Sequence, residues 1–296
     1  GTIENPVDAD KAVAGVDVVC HLAAAFQGGG PFSNQQYFDI NVRGVFNMLE
    51  AARQHAPNLQ HFFYASTDAI YEKYIPGGIP DPIQEDTMKI APTGQYAVTK
   101  YLGEELARGY YRTYGLPVTV FRFALAVAGE EILDFGQFYL RHWISAYAKN
   151  TNPDAAAVRA ELQRVRPLNE EVARNCLLIA RDEQGRAYKK HIADVRDIVR
   201  GFTDALGKPG AVGEVFQLAA PTPYTWDETI PYLAQKLGVE YVDVRLAGQI
   251  PTNYEFDMCK GQQLFGYSPQ FDIFRMIDDA LAFRTGQATG VIPTHL

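Results

Sequence analysis

The stretch Thr93-Gly-Gln-Tyr-Ala-Val-Thr-Lys-Tyr-Leu-Gly-Glu-Glu-Leu106 is predicted to open a long helix. Pro92, just before it, is a typical start signal, and the helix is expected to run to about Tyr114. Tyr96 and Lys100 are four residues apart, so they lie one turn apart on one helical face. An ammonium beside a phenol favours the phenolate and lowers the pKa of the phenol. The pair is therefore a candidate for proton exchange with a substrate hydroxyl, although ordinary exposed helices share this spacing.

The composition is that of a globular protein with one large or two modest domains. The chain has 296 residues, of which 47% are hydrophobic and 21% charged. A net charge of −8 disfavours nucleic acid as a partner, because phosphate binding needs a basic surface. No apolar run approaches the roughly 18 residues of a membrane span, and no signal core precedes the first helix. Three dispersed cysteines indicate reduced thiols and a cytoplasmic location, and no residue set has metal-binding spacing.

Apolar runs of strand length alternate with helical patterns through the first half of the chain. Strands are predicted over residues 16–22, 61–65 and 118–122, and a helix over residues 38–55 joins the first two. This alternation predicts a Rossmann-like α/β fold with a doubly wound parallel sheet. Ligands of such sheets bind at the carboxyl ends of the strands. The candidate site therefore lies at residues 23–27, at residues 66–68 and from Phe123 onward.

The regularity weakens after about Ala128. Further helices are predicted over residues 155–166, 170–179, 194–206, 226–237 and 271–285, with a strand over residues 215–218. We interpret the chain as two domains built from separated segments. Residues 1–128 plus 192–220 form the dinucleotide-binding domain, and residues 129–191 plus 221–296 form a smaller, mixed α/β substrate domain.

Six segments in order carry motifs that resemble one family. They are Val-Asp-Val-Val-Cys-His-Leu-Ala-Ala at 16–24, Asn-Val-Arg-Gly-Val-Phe-Asn-Met-Leu-Glu-Ala-Ala at 41–52, Phe-Tyr-Ala-Ser-Thr-Asp-Ala-Ile-Tyr at 63–71, Tyr96 with Lys100, Phe-Arg-Phe at 121–123, and His-Ile-Ala-Asp-Val at 191–195. Together they resemble the extended short-chain dehydrogenase/reductase family, in its NAD-dependent epimerase/dehydratase group. Each motif is weak alone, but their shared order and spacing cover nearly the whole chain.

The resemblance implies roles for individual residues. Thr67 would hold the reacting oxygen of the substrate, Tyr96 would be the acid/base, and Lys100 would bind the nicotinamide ribose and depress the Tyr96 pKa. The implied cofactor is NAD, with NADP possible. Besides Tyr96 and Lys100, its contacts would be Leu22, Ala23, Ala24, Ala65 and Phe123. The implied substrate contacts are Gln27, Asp68, Ala124 and His191.

The implied function is NAD(P)-dependent epimerisation or oxidoreduction of a sugar or nucleotide sugar by hydride transfer. Dehydration is less favoured, because Ala69 follows Asp68 where the dehydratase branch has Glu. Arg186, Lys189 and Lys190 are candidates for contact with an anion, and a solvated basic turn is the alternative. The family also suggests a homodimer through helices 41–55 and 94–114.

The family opens with a strand, a Gly-x-x-Gly-x-x-Gly turn and a helix, and this sequence contains no such segment. The run Gly28-Gly-Gly30 follows the wrong strand, lacks the fingerprint spacing, and is expected to be a loop near the substrate. Two alternatives follow. Either the sequence is part of a longer polypeptide with an intact site, or the protein is a non-catalytic relative that binds a ligand or another protein.

Overall fold

Strands and helices alternate in the computed structural model, which describes residues 1–26, 31–153 and 155–293. The strands are β1 (Val18–His21), β2 (His61–Thr67), β3 (Val118–Phe123), β4 (Leu125–Val127), β5 (Leu177–Arg181), β6 (Lys189–Lys190), β7 (Ile192–Asp194), β8 (Val215–Leu218), β9 (Tyr224–Thr225) and β10 (Tyr241–Arg245). The α-helices are α1 (Pro6–Val13), α2 (Asn34–Phe38), α3 (Val45–His55), α4 (Gly94–Tyr114), α5 (Leu140–Ala148), α6 (Ala155–Arg164), α7 (Glu170–Asn175), α8 (Val195–Ala205), α9 (Trp226–Leu237), α10 (Cys259–Phe265) and α11 (Ile273–Arg284).

Four strands form one parallel sheet in the order β1-β2-β3-β8. In its register, Cys20 lies opposite Phe63, and Phe121 lies opposite Phe216. Every residue of β2 is buried, as expected for a central parallel strand that is covered on both faces. The prediction of a Rossmann-like parallel sheet with flanking helices is therefore confirmed.

Helices cover both faces of this sheet. Successive residues of a strand point to opposite faces, so neighbouring residues of β2 join different cores. Phe62 and Tyr64 pack in a cluster with Leu49 of α3 and residues of α4. Phe63 packs in another cluster, which includes residues of α8. The sheet is thus doubly wound, and α4, which carries Tyr96 and Lys100, lies directly against β2.

A π-helical turn, Asp39–Gly44, lies between α2 and α3. The predicted helix over residues 38–55 is present, but the sequence pattern gave no sign of this turn. Such turns are rare and occur frequently at functional sites. Here the turn carries Asn41, which is buried beside the end of β1.

One predicted helix in the second half is wrong over part of its length. Residues 170–179 were expected to be helical throughout, but α7 ends at Asn175 and the next residues form β5. β5 pairs in parallel with β10, and its residues from Leu177 to Ala180 are buried. A short apolar run has the same pattern in a buried strand and in a buried helix, so periodicity could not separate them.

The second half of the chain contributes most of a buried cluster that includes Trp226. Residues of α5, α6, α9 and α11 pack there with β5 and β10. This packing agrees with the predicted smaller, mixed α/β domain. The residue boundaries given above for the two domains stay a prediction. Across the described ranges, no helix combines the length and the apolar character that crossing a membrane requires.

Candidate active site

The Lys100 ammonium is held at the junction of α4 and β2. Its Nζ donates a hydrogen bond to the Ala65 carbonyl at 2.5 Å and lies 4.6 Å from the centroid of the Tyr64 ring. The Tyr64 hydroxyl in turn donates to the Lys100 backbone carbonyl at 3.0 Å. Burial lowers the pKa of Lys100 to about 8, and the nearby Glu104 carboxylate opposes that shift. One of the three ammonium protons is thus used within the protein, which leaves donors for a ligand.

Tyr96 is partly exposed, one turn before Lys100 on α4. Its partner at the end of β2 is Thr67, whose hydroxyl lowers the pKa of Tyr96 through a hydrogen bond. Burial acts more strongly in the other direction, and the Asp68 charge adds to it, so the pKa of Tyr96 is raised. The expectation that Lys100 depresses this pKa is wrong for this structure. The ammonium is directed at Ala65, and Tyr96 is a protonated phenol at neutral pH.

Behind Lys100 lies a buried polar network centred on Glu104. Glu104 accepts hydrogen bonds from Ser66 Oγ at 2.7 Å and from Arg122 Nε at 3.2 Å, and it pairs with Arg122 Nη2. Arg122 Nη1 also donates to the Tyr71 hydroxyl at 2.8 Å. The network joins α4, β2 and β3, so it fixes the helix that carries Tyr96 and Lys100 against the sheet.

The predicted cofactor side is lined by small or apolar residues after β1. Leu22 and Ala23 are exposed there and Ala24 is half-buried, which leaves room for a flat ring system to approach the backbone. Phe123, at the end of β3, is half-buried. Together with the spare donors of Lys100, these residues fit the nicotinamide and ribose half of a dinucleotide.

His21 lies beneath this surface. Its side chain is buried, its Nε2 has no hydrogen-bond partner in the described residues, and its ring stacks on Tyr64 with centroids 6.0 Å apart. Burial lowers the pKa of His21 to about 3, and the Lys100 charge adds to that shift. His21 is therefore neutral, and it packs beside the ammonium without being charged.

Asn41 fastens the cofactor side to α4. Its side chain accepts from the Ala25 backbone N–H at 2.8 Å and donates to the Ala25 carbonyl at 3.1 Å and to Thr99 Oγ1 at 3.1 Å. The Asn41 motif was noted in the sequence, but no role was assigned to this side chain. Glu104 was also missed, although its position four residues after Lys100 placed it on the same helical face. No pattern in the sequence pointed to Lys73, which pairs with Asp68.

Two of the predicted substrate contacts, Asp68 and Ala124, lie at the ends of β2 and β3. Asp68 forms a buried ion pair with Lys73 beside Thr67, and Ala124 is buried just after β3. Gln27 lies outside the described residues, as does the Gly28-Gly-Gly30 run.

His191 differs from the expectation that it contacts substrate. Its Nδ1 accepts from the Phe256 backbone N–H at 3.1 Å, and its Nε2 lies 2.8 Å from the Ala220 carbonyl. Burial lowers the pKa of His191 to about 4. The ring is therefore neutral with its proton on Nε2, and it links two backbone segments without a free nitrogen.

A doubly wound parallel sheet with a tyrosine and a lysine one helical turn apart beside a strand-end threonine defines a Rossmann-type enzyme of the short-chain dehydrogenase/reductase class. The chain belongs to the NAD-dependent epimerase/dehydratase family, whose model matches residues 1–219.

Two curated relatives illustrate the range of the family. An uncharacterized UDP-glucose epimerase of Bacillus subtilis is 26% identical over 288 residues, which cover 95% of this chain and 78% of that protein. A UDP-glucuronate 4-epimerase of Thermodesulfobacterium geofontis is 30% identical over 130 residues, which cover 44% of this chain and 38% of that protein. The relatives therefore include enzymes named for a neutral sugar and for an acidic one.

Solved structures agree with the fold. A short-chain dehydrogenase/reductase superfamily protein of Agrobacterium tumefaciens, crystallised with bound NAD, superposes with a TM-score of 0.79 at 29% identity, covering 97% of this chain and 87% of that one. A UDP-glucuronic acid 4-epimerase of Bacillus cereus in complex with NAD has a TM-score of 0.64 at 20% identity, covering 95% and 79%, and it supports the fold alone.

Proposed function

We propose that this protein is an NAD(P)-dependent epimerase or oxidoreductase that acts on a hydroxyl or ketone of a sugar or nucleotide sugar. The observation that carries the proposal is the convergence of Thr67, Tyr96 and Lys100 at the carboxyl end of β2. Thr67 interacts with Tyr96, and Lys100 is anchored on Ala65 two residues earlier in the same strand. Family membership supports an enzyme over a non-catalytic relative.

Tyr96 is the proton-transfer group of the proposed reaction. Its raised pKa keeps it protonated at neutral pH, so it can donate a proton to a substrate oxygen that gains negative charge. Thr67 holds the same oxygen with its hydroxyl and limits the rise of the Tyr96 pKa. In the reverse direction the Tyr96 phenolate takes the proton back from the substrate hydroxyl.

NAD, or NADP, is the proposed cofactor, and when bound it supplies the site with a hydride acceptor or donor. Lys100 and Tyr96 would hold its ribose, while Leu22, Ala23, Ala24, Ala65 and Phe123 would line the ring side. Asp68 and Ala124 stay proposed substrate contacts. The substrate is expected between the dinucleotide-binding domain (residues 1–128 plus 192–220) and the substrate domain (residues 129–191 plus 221–296).

We also propose a homodimer through the outer faces of α3 and α4. Phe46 of α3 is exposed there, as are Val98 and Leu102, which lie one turn apart on α4, and neighbouring exposed apolar side chains of this kind support a contact with a partner. Tyr110 of α4 is buried and donates a hydrogen bond to Glu50, so it does not contribute to this surface. Three free cysteines support the proposed cytoplasmic location, and the net charge of −8 supports a partner other than nucleic acid.

The experiment uses the protein expressed from its complete gene. UDP-glucose and UDP-glucuronate are incubated with NAD, and epimer formation and nicotinamide reduction are both followed. We expect turnover of one of these sugars, and Tyr96→Phe should lower kcat about 10²- to 10⁴-fold while nicotinamide binding persists. Unchanged turnover in Tyr96→Phe, or the absence of nicotinamide binding by the wild type, would exclude the proposed function.

A further inference from the structure

A buried ion pair lies immediately beyond the reacting residues. Lys73 Nζ pairs with Asp68 Oδ2, and both side chains are almost closed to solvent. Aromatic rings surround the ammonium, which lies 4.7 Å from the ring centroid of Tyr254 and 5.8 Å from that of Phe256. Asp68 follows Thr67 directly, and its charge acts on Tyr96. The Lys73–Asp68 pair therefore lines the site directly beside the position proposed for the reacting oxygen.

Lys190 places a second ammonium close to the Lys73–Asp68 pair. Its residue is only 6% exposed, and its Nζ lies 4.9 Å from the centroid of the Phe135 ring. Within residues 1–26, 31–153 and 155–293, no hydrogen-bond or ion-pair partner of this Nζ is found. The neighbouring Lys189 carbonyl accepts from the Tyr254 backbone N–H at 3.2 Å, which ties this strand to the segment whose ring covers Lys73.

A further polar group beside Lys190 is also left without a partner. Tyr224 faces Lys190 across the antiparallel β6–β9 pair. Its side chain is 2% exposed, and its hydroxyl has no hydrogen bond among the described residues. A buried hydroxyl without a partner costs free energy, so it indicates a group that the protein itself does not supply.

The charges of Lys73, Lys190 and Asp68 do not sum to zero. Lys73 and Lys190 bring two positive charges, and Asp68 brings one negative charge. Burial lowers the pKa of Lys190 to about 8, repulsion from Lys73 adds to that shift, and attraction to Asp68 opposes it. At neutral pH most of the Lys190 side chains are therefore still charged, and the trio carries a net charge near +1. A largely buried ammonium without a carboxylate partner of its own is stabilised when an opposite charge binds beside it.

We propose that Lys190, with Tyr224 and the Lys73–Asp68 pair, forms a subsite for a carboxylate carried by the sugar, so that the enzyme prefers a sugar acid to the neutral sugar. The inference rests on the proposed function, because it places the carboxylate next to the oxygen that Thr67 and Tyr96 hold. A single negative charge matches the one excess positive charge, and a titration with UDP distinguishes a carboxylate from the diphosphate of the nucleotide. The relatives do not decide between a neutral sugar and a sugar acid, because they include enzymes named for UDP-glucose and for UDP-glucuronate.

The test measures equilibrium binding by calorimetry, without requiring turnover. UDP-glucuronate, UDP-glucose and UDP are titrated into the wild type, Lys190→Met and Lys189→Met. Lys189 is a matched control, because it adjoins Lys190 but is a quarter exposed and pairs with Glu255 at 3.0 Å. We expect the wild type to bind UDP-glucuronate at least tenfold more tightly than UDP-glucose. Lys190→Met should remove that preference, with a loss on the order of 30-fold for UDP-glucuronate alone.

Lys190→Met should fold at least as stably as the wild type, since it removes an unpaired buried charge, and thermal unfolding checks this. Equal wild-type binding of the two sugars would overturn the proposal, as would a preference that survives in Lys190→Met. If Lys190→Met weakens UDP as much as UDP-glucuronate, the ammonium meets the diphosphate and the sugar-acid proposal is wrong. Failure of the proposed function would be seen separately. In that case UDP-glucuronate would still bind through its carboxylate, but the turnover experiment would detect neither epimer formation nor nicotinamide reduction.

Discussion

Arg122 and Glu104 form an ion pair whose atoms Nη2 and Oε1 are 2.5 Å apart, and their side chains are 2% and 0% exposed. Glu104 lies one helical turn after Lys100 and raises the pKa of that residue against the effect of burial. The pair is therefore connected both to the stability of the α4–sheet contact and to the charge of Lys100. The proposed chemistry depends on a network that lies beneath the site without touching substrate.

Glu104→Gln is expected to lower the free energy of unfolding by about 3–5 kcal/mol, because it leaves the Arg122 charge buried without its partner. Urea denaturation measures this loss. Glu105→Gln is the matched control, since the adjacent Glu105 forms a half-exposed pair with Arg108. The control should lose no more than about 1 kcal/mol. Similar losses in the two variants would contradict the role given to the buried pair.

The activity is expected to fall on the alkaline side as Lys100 loses its proton near its pKa of about 8. Below that pH the ammonium is charged and can hold the ribose, and above it the charge is lost. Lys100→Arg keeps its charge at high pH, so in this variant the alkaline fall should move beyond about pH 10. The measurement is kcat/KM as a function of pH. If Lys100→Arg shows the same fall near pH 8, the titrating group is not Lys100.

Thr67→Val should lower kcat/KM by about 10- to 100-fold, since it removes a hydrogen bond to the reacting oxygen and to Tyr96. It should also raise the pKa of Tyr96 further, because the Thr67 hydroxyl lowers it. Any limb of the pH profile that requires the phenolate should therefore shift to higher pH. Thr67→Ser keeps the hydroxyl and is expected to stay near wild-type activity. Equal losses in the Val and Ser variants would contradict the role given to the Thr67 hydroxyl.

Gly103→Ala is expected to displace α4. A Cβ at Gly103 would collide with the Tyr64 hydroxyl and come within 2.7 Å of the Asn41 carbonyl. Overpacking of this kind typically costs about 1–3 kcal/mol, and here it would also move Tyr96 and Lys100 away from β2. Thermal unfolding and kcat/KM should both decline.

Gly109→Ala on the same helix is the control for Gly103→Ala. The nearest atom to an added Cβ there, an Arg112 nitrogen, is 4.0 Å away. Replacing glycine by alanine within a helix usually stabilises by about 0.5–1 kcal/mol, so this variant should unfold at a slightly higher temperature and keep its activity. A Gly103→Ala variant that behaves like Gly109→Ala would show that the contact with Tyr64 and Asn41 is easily relaxed.

Much of the fold was predictable because its signals are local. Apolar runs bounded by turn residues predicted β1, β2 and β3, and the helical spacing around Tyr96 predicted α4 with the bounds that the structure has. The helix predicted over residues 170–179 failed at β5, because only pairing with β10, more than sixty residues later, selects a strand there. A short apolar run does not contain that information.

The site was predictable in its residue types but not in its electrostatics. Local spacing was enough to predict that Tyr96 and Lys100 share a helical face and that Thr67 ends a neighbouring strand. It did not predict that Lys100 turns to the Ala65 carbonyl, that burial raises the pKa of Tyr96, or that backbone groups engage both nitrogens of His191. The physical reason is that spacing along a helix follows from local geometry. Desolvation and hydrogen-bond partners depend on segments that are distant in sequence.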